Sequence, residues 1–108
     1  MPLSGKKIAL LLDKEYQELE VWYPYYRLGE EGADVTLVAP QAGVEYPSKL
    51  GYPCTSDIAA GGTDAGSFDA VVIPGGWAPD YMRRDDDMVR FVQQAAEAGK
   101  VMAAICHG

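Results

Sequence analysis

Runs of apolar residues alternate with amphipathic stretches along this chain, and their periods predict most of its elements. From Lys7 to Asp13 the run KIALLLD is apolar without alternation and closes on an acid, which predicts a buried central strand with a polar C-terminal end. In the next stretch, ELEVWYPYYRLGEEGADV, residues Leu19, Trp22, Tyr23, Tyr26 and Leu28 fall near helical spacing, and Gly32 closes the helix; Pro24 must sit early in it or kink it. A second strand, DVTLVAP, follows from Asp34 to Pro40 at a distance that suits a right-handed crossover, so the two strands and the helix make one βαβ unit.

Gln41 to Gly66 is rich in Gly, Pro, Ser and Thr around short apolar pieces, GVEYP and YPCTSDIA. It predicts hairpin or edge strands and loops, with little functional signal. SFDAVVIPGG, from Ser67 to Gly76, predicts another buried strand running into a Pro-Gly-Gly turn. DDDMVRFVQQAAEAGK opens on acids, repeats Met88, Phe91, Val92 and Ala95 at helical spacing and ends at Gly99, which predicts a helix. VMAAIC then predicts a buried parallel strand that delivers a thiol to its C-terminal end. The order β-α-β, a β-rich excursion, then β-α-β predicts an α/β layer fold with a mainly parallel sheet, free of repeats and linkers.

Composition narrows the partners. At 108 residues and 48% hydrophobic content the chain supports one core, hence one domain or part of one. A net charge of −7 excludes the basic footprint of a nucleic-acid or anionic-membrane binder and leaves small molecules or proteins. No apolar stretch reaches the length of a membrane span, and the apolar part of MPLSGKKIALLLDKEYQ is too short and too soon charged for a signal peptide, so a cytoplasmic protein is expected. In that compartment Cys54 and Cys106 are expected as free thiols. One histidine and two well-separated cysteines lack ligand spacing, so neither a metal nor another cofactor is expected.

In a doubly wound sheet, sites form outside the carboxyl ends of the strands, where Asp13 to Glu20, Pro74 to Asp80 and Cys106 to Gly108 converge. A lone cysteine is most often a small buried hydrophobe. Cys106 differs by its place at a strand end, its neighbour His107 and a Gly108 that permits a sharp turn, the setting of an exposed nucleophile whose thiolate is stabilised by backbone N–H groups. Gly75 and Gly76 are either an ordinary turn or a pair whose N–H groups meet a substrate oxygen. Glu15, Glu18 and Glu20 are equally eligible as a carboxylate partner, and spacing does not choose among them.

Three stretches, FDAVVIPGGWAPDYMRRDD, EAGKVMAAICHG and YQELEVWYPYYRLGEEG, together resemble the PfpI intracellular protease and deglycase family of the ThiJ/PfpI superfamily. The resemblance spans nearly the whole chain, and the Ala-Ile-Cys-His-Gly elbow after a Pro-Gly-Gly strand end is its most specific part. It implies a flavodoxin-like, class I glutamine-amidotransferase-like three-layer sandwich with Cys106 as nucleophile. It also implies Glu20 as the glutamate that hydrogen-bonds the cysteine sulfur, and His107 as the active-site histidine. Asp80 falls where such proteins usually carry a glutamate supplied by a neighbouring subunit, implying a homo-oligomer, dimer or hexamer; Gln17 stands where several relatives have an additional acid. Family members continue past the elbow with a helix and further strands, so residues 1–108 are expected to form the N-terminal part of a single domain.

The resemblance implies a cysteine-dependent hydrolase acting on peptides, on glycated amino and thiol groups, or on methylglyoxal, in stress protection. Cys106 would attack, the N–H groups of Gly76 and His107 would hold the oxygen, Glu20 would exchange a proton with the sulfur, and His107 with Asp80 would serve the acid-base steps. The alternatives are a redox-sensing stress protein that works through oxidation of Cys106, and a glutaminase-type amidotransferase domain, which uses a similar elbow with a distant His-Glu pair. The segment WAPDYMRR, rich in interface residue types, supports an interface at Asp80; the alternative is that Asp80 caps a short helix beginning near Tyr81.

Overall fold

Ile8 to Leu12 are buried without alternation, which only a strand covered on both faces can satisfy. In the computed structural model, which describes residues 1–108, the chain runs β1 (Lys7–Leu11), α1 (Glu18–Glu30), β2 (Asp34–Ala39), β3 (Glu45–Pro47), β4 (Pro53–Thr55), β5 (Ile58–Ala59), a 3₁₀ turn (Ala65–Ser67), β6 (Ala70–Ile73), α2 (Ala78–Met82), α3 (Asp86–Glu97) and β7 (Val101–Ala104). Five strands form one sheet in the order β5-β2-β1-β6-β7, with every neighbouring pair parallel. β1 is central, with Leu10 opposite Leu37 on one side and Val72 on the other. The chain crosses from β1 to β2 in one direction and from β6 to β7 in the other, so right-handed crossovers put α1 and α3 on opposite faces. The result is the three-layer, flavodoxin-like arrangement. The excursion after β2 is an antiparallel hairpin, β3-β4, followed by the short edge strand β5.

Local chemistry sets the helix bounds. Gln17 caps α1, its side-chain oxygen accepting from the backbone N–H of Leu19 at 2.7 Å and of Glu20 at 3.3 Å. Pro24 lies inside α1 and, having no N–H, leaves the Glu20 carbonyl without its usual helical partner. The helix buries a different stripe from the one its aromatic spacing predicts. Val21 is buried and Trp22, Tyr25 and Leu28 are packed on the core, whereas Leu19, Tyr23 and Tyr26 face solvent. Val21, Tyr25 and Leu28 follow the i, i+4, i+7 rule as well as the outer set does, and tyrosine tolerates water at its hydroxyl end. Asp85 caps α3 by accepting from the Met88 N–H at 3.0 Å, and α3 buries Met88, Phe91 and Ala95, with Phe91 edge-on to Phe68 at 5.8 Å.

β7 is parallel, as expected, but it is not buried: Val101 is 68% and Met102 37% exposed. It is the outer strand of the sheet, with β6 as its only strand neighbour, so its apolar composition is left largely uncovered.

At the C-terminal end of β1, Asp13 is 6% exposed, its carboxylate accepting from the Lys14 N–H at 2.8 Å. Burial pushes its carboxyl pKa up, and the nearby charge of Asp85 adds to the rise against the opposing pull of Lys14. A folded-state pKa above the ordinary 3.8 means that the folded protein holds this proton more tightly than the unfolded chain. Stability from this site is therefore fully present below the ordinary value and is lost as pH rises through the folded one. Asp13→Asn, which retains an oxygen for the Lys14 N–H, is expected to raise the thermal midpoint by a few degrees at pH 7 and to leave it unchanged near pH 3. Equal shifts at both pH values would show that the effect is packing rather than charge.

Candidate active site

β7 carries the chain through Ile105, whose N–H donates to the Ile73 carbonyl at 3.0 Å, to Cys106 at the sheet's C-terminal edge. There the backbone turns sharply. Cys106 takes φ +57, a left-handed conformation uncommon outside glycine, and the Gly108 N–H closes the turn on the Ile105 carbonyl at 2.9 Å. Such strain costs on the order of 1–3 kcal/mol and is retained where the surrounding structure enforces it. Its effect here is to hold the Cys106 side chain out of the core, exposed and unpaired. Cys54, in contrast, lies buried in β4, its thiol pushed up to about 11 by burial.

Opposite the elbow, the turn after β6 brings Gly75 between Glu20 and Cys106. The Gly75 N–H donates to the Glu20 carboxylate at 2.7 Å. A Cβ on Gly75 would lie 2.8 Å from Cys106 Cβ and 2.9 Å from the Ile105 carbonyl, and would overlap the Glu20 carboxylate. The acid and the thiol-bearing carbon thus flank one point that only glycine leaves open. Gly76 has φ +74, and its Cβ position is filled by the backbone of Glu15 and Gln17, 2.6 Å away. The Trp77 N–H donates to the Glu15 carbonyl at 2.8 Å, which clamps this turn to the loop after β1.

The three acids that spacing leaves equivalent have different surroundings. Glu18 turns to the hairpin, where it accepts from the Ser48 hydroxyl and from the Leu50 N–H at 3.1 Å; the Ser48 bond holds its carboxyl below the ordinary carboxylate range. Glu15 offers its backbone carbonyl to Trp77. Glu20 is the one beside the elbow, but the expected hydrogen bond to the Cys106 sulfur is not made; its carboxylate accepts from the Gly75 N–H instead. The Gly75 N–H is occupied by Glu20, whereas those of Gly76 and His107 make no hydrogen bond within the chain.

The His107 ring stacks on Trp77, with centroids 5.7 Å apart and planes 16° from parallel. Its carbonyl accepts from Arg83 Nη2 at 2.7 Å, while Arg83 Nη1 pairs with Asp80 Oδ1 at 3.1 Å. Asp80 therefore connects to His107 through Arg83, and no hydrogen bond joins it to the imidazole. The short helix expected near Tyr81 begins at Ala78, because Pro79 is well placed in a first turn; Asp80 lies inside that turn rather than capping it. The WAPDYMRR segment is exposed only in part. Ala78, Pro79 and Met82 are buried, and the Tyr81 ring is approached by Lys14 Nζ at 4.5 Å and Arg84 Cζ at 5.0 Å.

Sequence reasoning missed Trp77 as a neighbour of His107, Arg83 as the donor to the elbow, and Ser48 as the partner of Glu18. Arg83 stands one turn after Asp80, a spacing that signals their pair; Trp77 directly follows the Gly-Gly turn, but nothing in the sequence predicts what its ring meets. No three His, Cys, Asp or Glu side chains gather into a group able to hold a metal. The arrangement does place an exposed cysteine sulfur, a carboxylate, an imidazole and two unpaired N–H donors on adjoining turns.

Similar sequences and a similar fold occur in known proteins. Deglycase PfpI from Pyrococcus furiosus is 37% identical over 102 residues, covering 94% of this chain and 61% of the relative. General stress protein 18 from Bacillus subtilis is 34% identical over 105 residues, covering 96% of this chain and 61% of the relative. The chain thus spans 61% of the length of either relative. Among solved structures, a two-domain protein from Anabaena variabilis containing DJ-1/ThiJ/PfpI-like and ferritin-like domains superposes with a TM-score of 0.93 at 41% identity, over 96% of this chain and 30% of that one. The model of the DJ-1/PfpI family matches residues 6–108, from the strand that precedes Glu20 to the glycine that closes the elbow, and the chain belongs to that family.

Proposed function

We propose that residues 1–108 are the nucleophile-bearing part of a cysteine-dependent hydrolase of the PfpI type, acting on glycated amino or thiol groups. The observation that carries this reading is the left-handed Cys106 at a strand end, with Glu20 on the other side of Gly75. In this reading Glu20 takes the Cys106 thiol proton and the sulfur displaces the glycated amine or thiol from the carbinol carbon of the adduct: a C–S bond to Cys106 forms as the bond to the substrate group breaks, and His107 protonates that departing group. A proton then moves from this carbon to its carbonyl neighbour through an enediolate, whose oxygen is met by the N–H groups of Gly76 and His107, a kind of stabilisation worth roughly 3–4 kcal/mol per donor. Water hydrolyses the resulting thioester to a hydroxy acid and restores the thiol. A reduced thiol is required throughout, which suits a cytoplasmic enzyme. The greater length of the curated relatives and the uncovered apolar side chains of β7 support a larger domain around this part.

The test measures turnover of a methylglyoxal-glycated peptide, free methylglyoxal and casein by the intact protein. Release of free amine from the glycated peptide, ahead of casein cleavage, is the expected result. Cleavage of casein alone would make the protein a peptidase, and absence of all three turnovers would overturn the hydrolase reading. The half-exposed Asp80 is proposed to face a neighbouring subunit in a homo-oligomer. Mixing inactive Cys106→Ser and Asp80→Ala proteins under subunit exchange should then restore part of the activity. A monomer, or full activity in Asp80→Ala alone, would remove that part of the proposal.

A further inference from the structure

We infer that Trp77 is the positioning residue that fixes the plane of the His107 imidazole; the inference rests on the reading of His107 as the acid-base group. The indole has a rigid base. Its backbone N–H is held by the Glu15 carbonyl at 2.8 Å, and the preceding Gly76 is locked at φ +74 against the Glu15–Gln17 backbone. From that base the ring reaches across to His107 and lies nearly parallel to it, within the range of offset stacking. Lys49 Nζ, from the hairpin, approaches the indole to 6.0 Å from its centroid, the outer edge of cation–π contact.

His107 has no other side-chain restraint within the chain. Arg83 holds its carbonyl, which fixes the main chain but leaves rotation about the side-chain bonds free, and the ring nitrogens make no hydrogen bond. In nucleophile-base-orienter sets a carboxylate does the orienting by taking a ring N–H, which commits one nitrogen. A stacked indole restrains the ring plane through its face and leaves both nitrogens at the edge free for proton transfer. An exposed imidazole without this restraint would sample several rotamers, and losing geometry at an acid-base group lowers turnover more than binding.

The test uses Trp77→Leu and Trp77→Phe in the intact protein. The His107 Hε1 proton resonance, assigned by its loss in His107→Gln, should be shifted upfield in the native protein by the indole ring current and should move downfield in Trp77→Leu. With the glycated peptide, Trp77→Leu should lower kcat roughly tenfold with KM within about twofold, and Trp77→Phe, which keeps a flat face, should recover most of kcat. An unmoved resonance in Trp77→Leu overturns the inference, and so does full kcat in that variant or an equal loss in both. If the native protein turns over none of the substrates, the hydrolase reading has failed, while the resonance still decides whether the stack orients the ring.

Discussion

Cys106→Gly in the intact protein is expected to abolish turnover and at the same time raise the thermal midpoint. The two effects come from one feature. Cys106 holds φ +57, which costs a residue with a Cβ roughly 1–2 kcal/mol. Glycine removes that cost but is freer in the unfolded chain, which takes back about 0.5–1 kcal/mol. The side chain is exposed, so little packing is lost, and a net gain of up to about 1.5 kcal/mol remains. Cys106→Ser keeps the strain and nearly the same shape, so its midpoint should stay at the native value, while turnover falls by roughly 10³-fold or more for want of the nucleophile. Melting curves and turnover of the three proteins decide it. A glycine variant no more stable than the serine variant would mean that the left-handed turn stores no strain, and retained turnover in either would remove Cys106 from the chemistry.

How much of this was legible beforehand depends on the scale of the interaction. KIALLLD, DVTLVA and AVVI read as strands because a strand covered on both faces needs unbroken apolar residues, and their parallel pairing follows from the crossovers between them. α3 was legible from the acids that open its segment and from Met88, Phe91, Val92 and Ala95 at helical spacing; that Asp85 is the acid that caps it came with the fold. The stripe of α1 was not, since two sets of positions satisfy helical spacing and tertiary packing chooses between them. β7 was right in direction and wrong in burial, because composition reports what a strand is suited to and not how many neighbours it has. At the candidate site, residue types and strand ends pointed to Cys106, His107 and the Gly75-Gly76 turn, which the fold brings onto adjoining turns. The distinction among Glu15, Glu18 and Glu20 required the fold: Ser48 and Leu50, distant in sequence, engage Glu18, and Gly75 engages Glu20. The stack of Trp77 on His107 joins segments 30 residues apart in numbering, and no local pattern encodes it.

The adjoining glycines at positions 75 and 76 should separate activity from stability when each is changed to alanine. Gly75 lies outside the left-handed region, so the backbone accepts a side chain there; the obstacles are Cys106 Cβ at 2.8 Å, the Ile105 carbonyl at 2.9 Å and the Glu20 carboxylate. Glu20 can swing its carboxylate away, and in doing so it loses the Gly75 N–H and its place beside the elbow. The Ile105 carbonyl and the Cys106 Cβ cannot rotate away and must shift as well, so Gly75→Ala is expected to lower turnover by about 10²-fold, the scale of a displaced catalytic group, with a stability loss of roughly 2 kcal/mol. Gly76 is constrained in two ways at once. Its φ of +74 disfavours any Cβ, and that Cβ would stand 2.6 Å from the Glu15 carbonyl oxygen and the Gln17 nitrogen, backbone atoms that cannot rotate away. Relieving the clash means parting the turn from the loop after β1 and giving up the Trp77–Glu15 hydrogen bond. Gly76→Ala is expected to cost roughly 3 kcal/mol or more, a large share of the 5–15 kcal/mol typical of a domain. Urea midpoints and turnover measured on both variants check the contrast. If Gly75→Ala proved the more destabilised of the two, or if it kept full turnover, Glu20 would not depend on the open point at Gly75 for its position at the elbow.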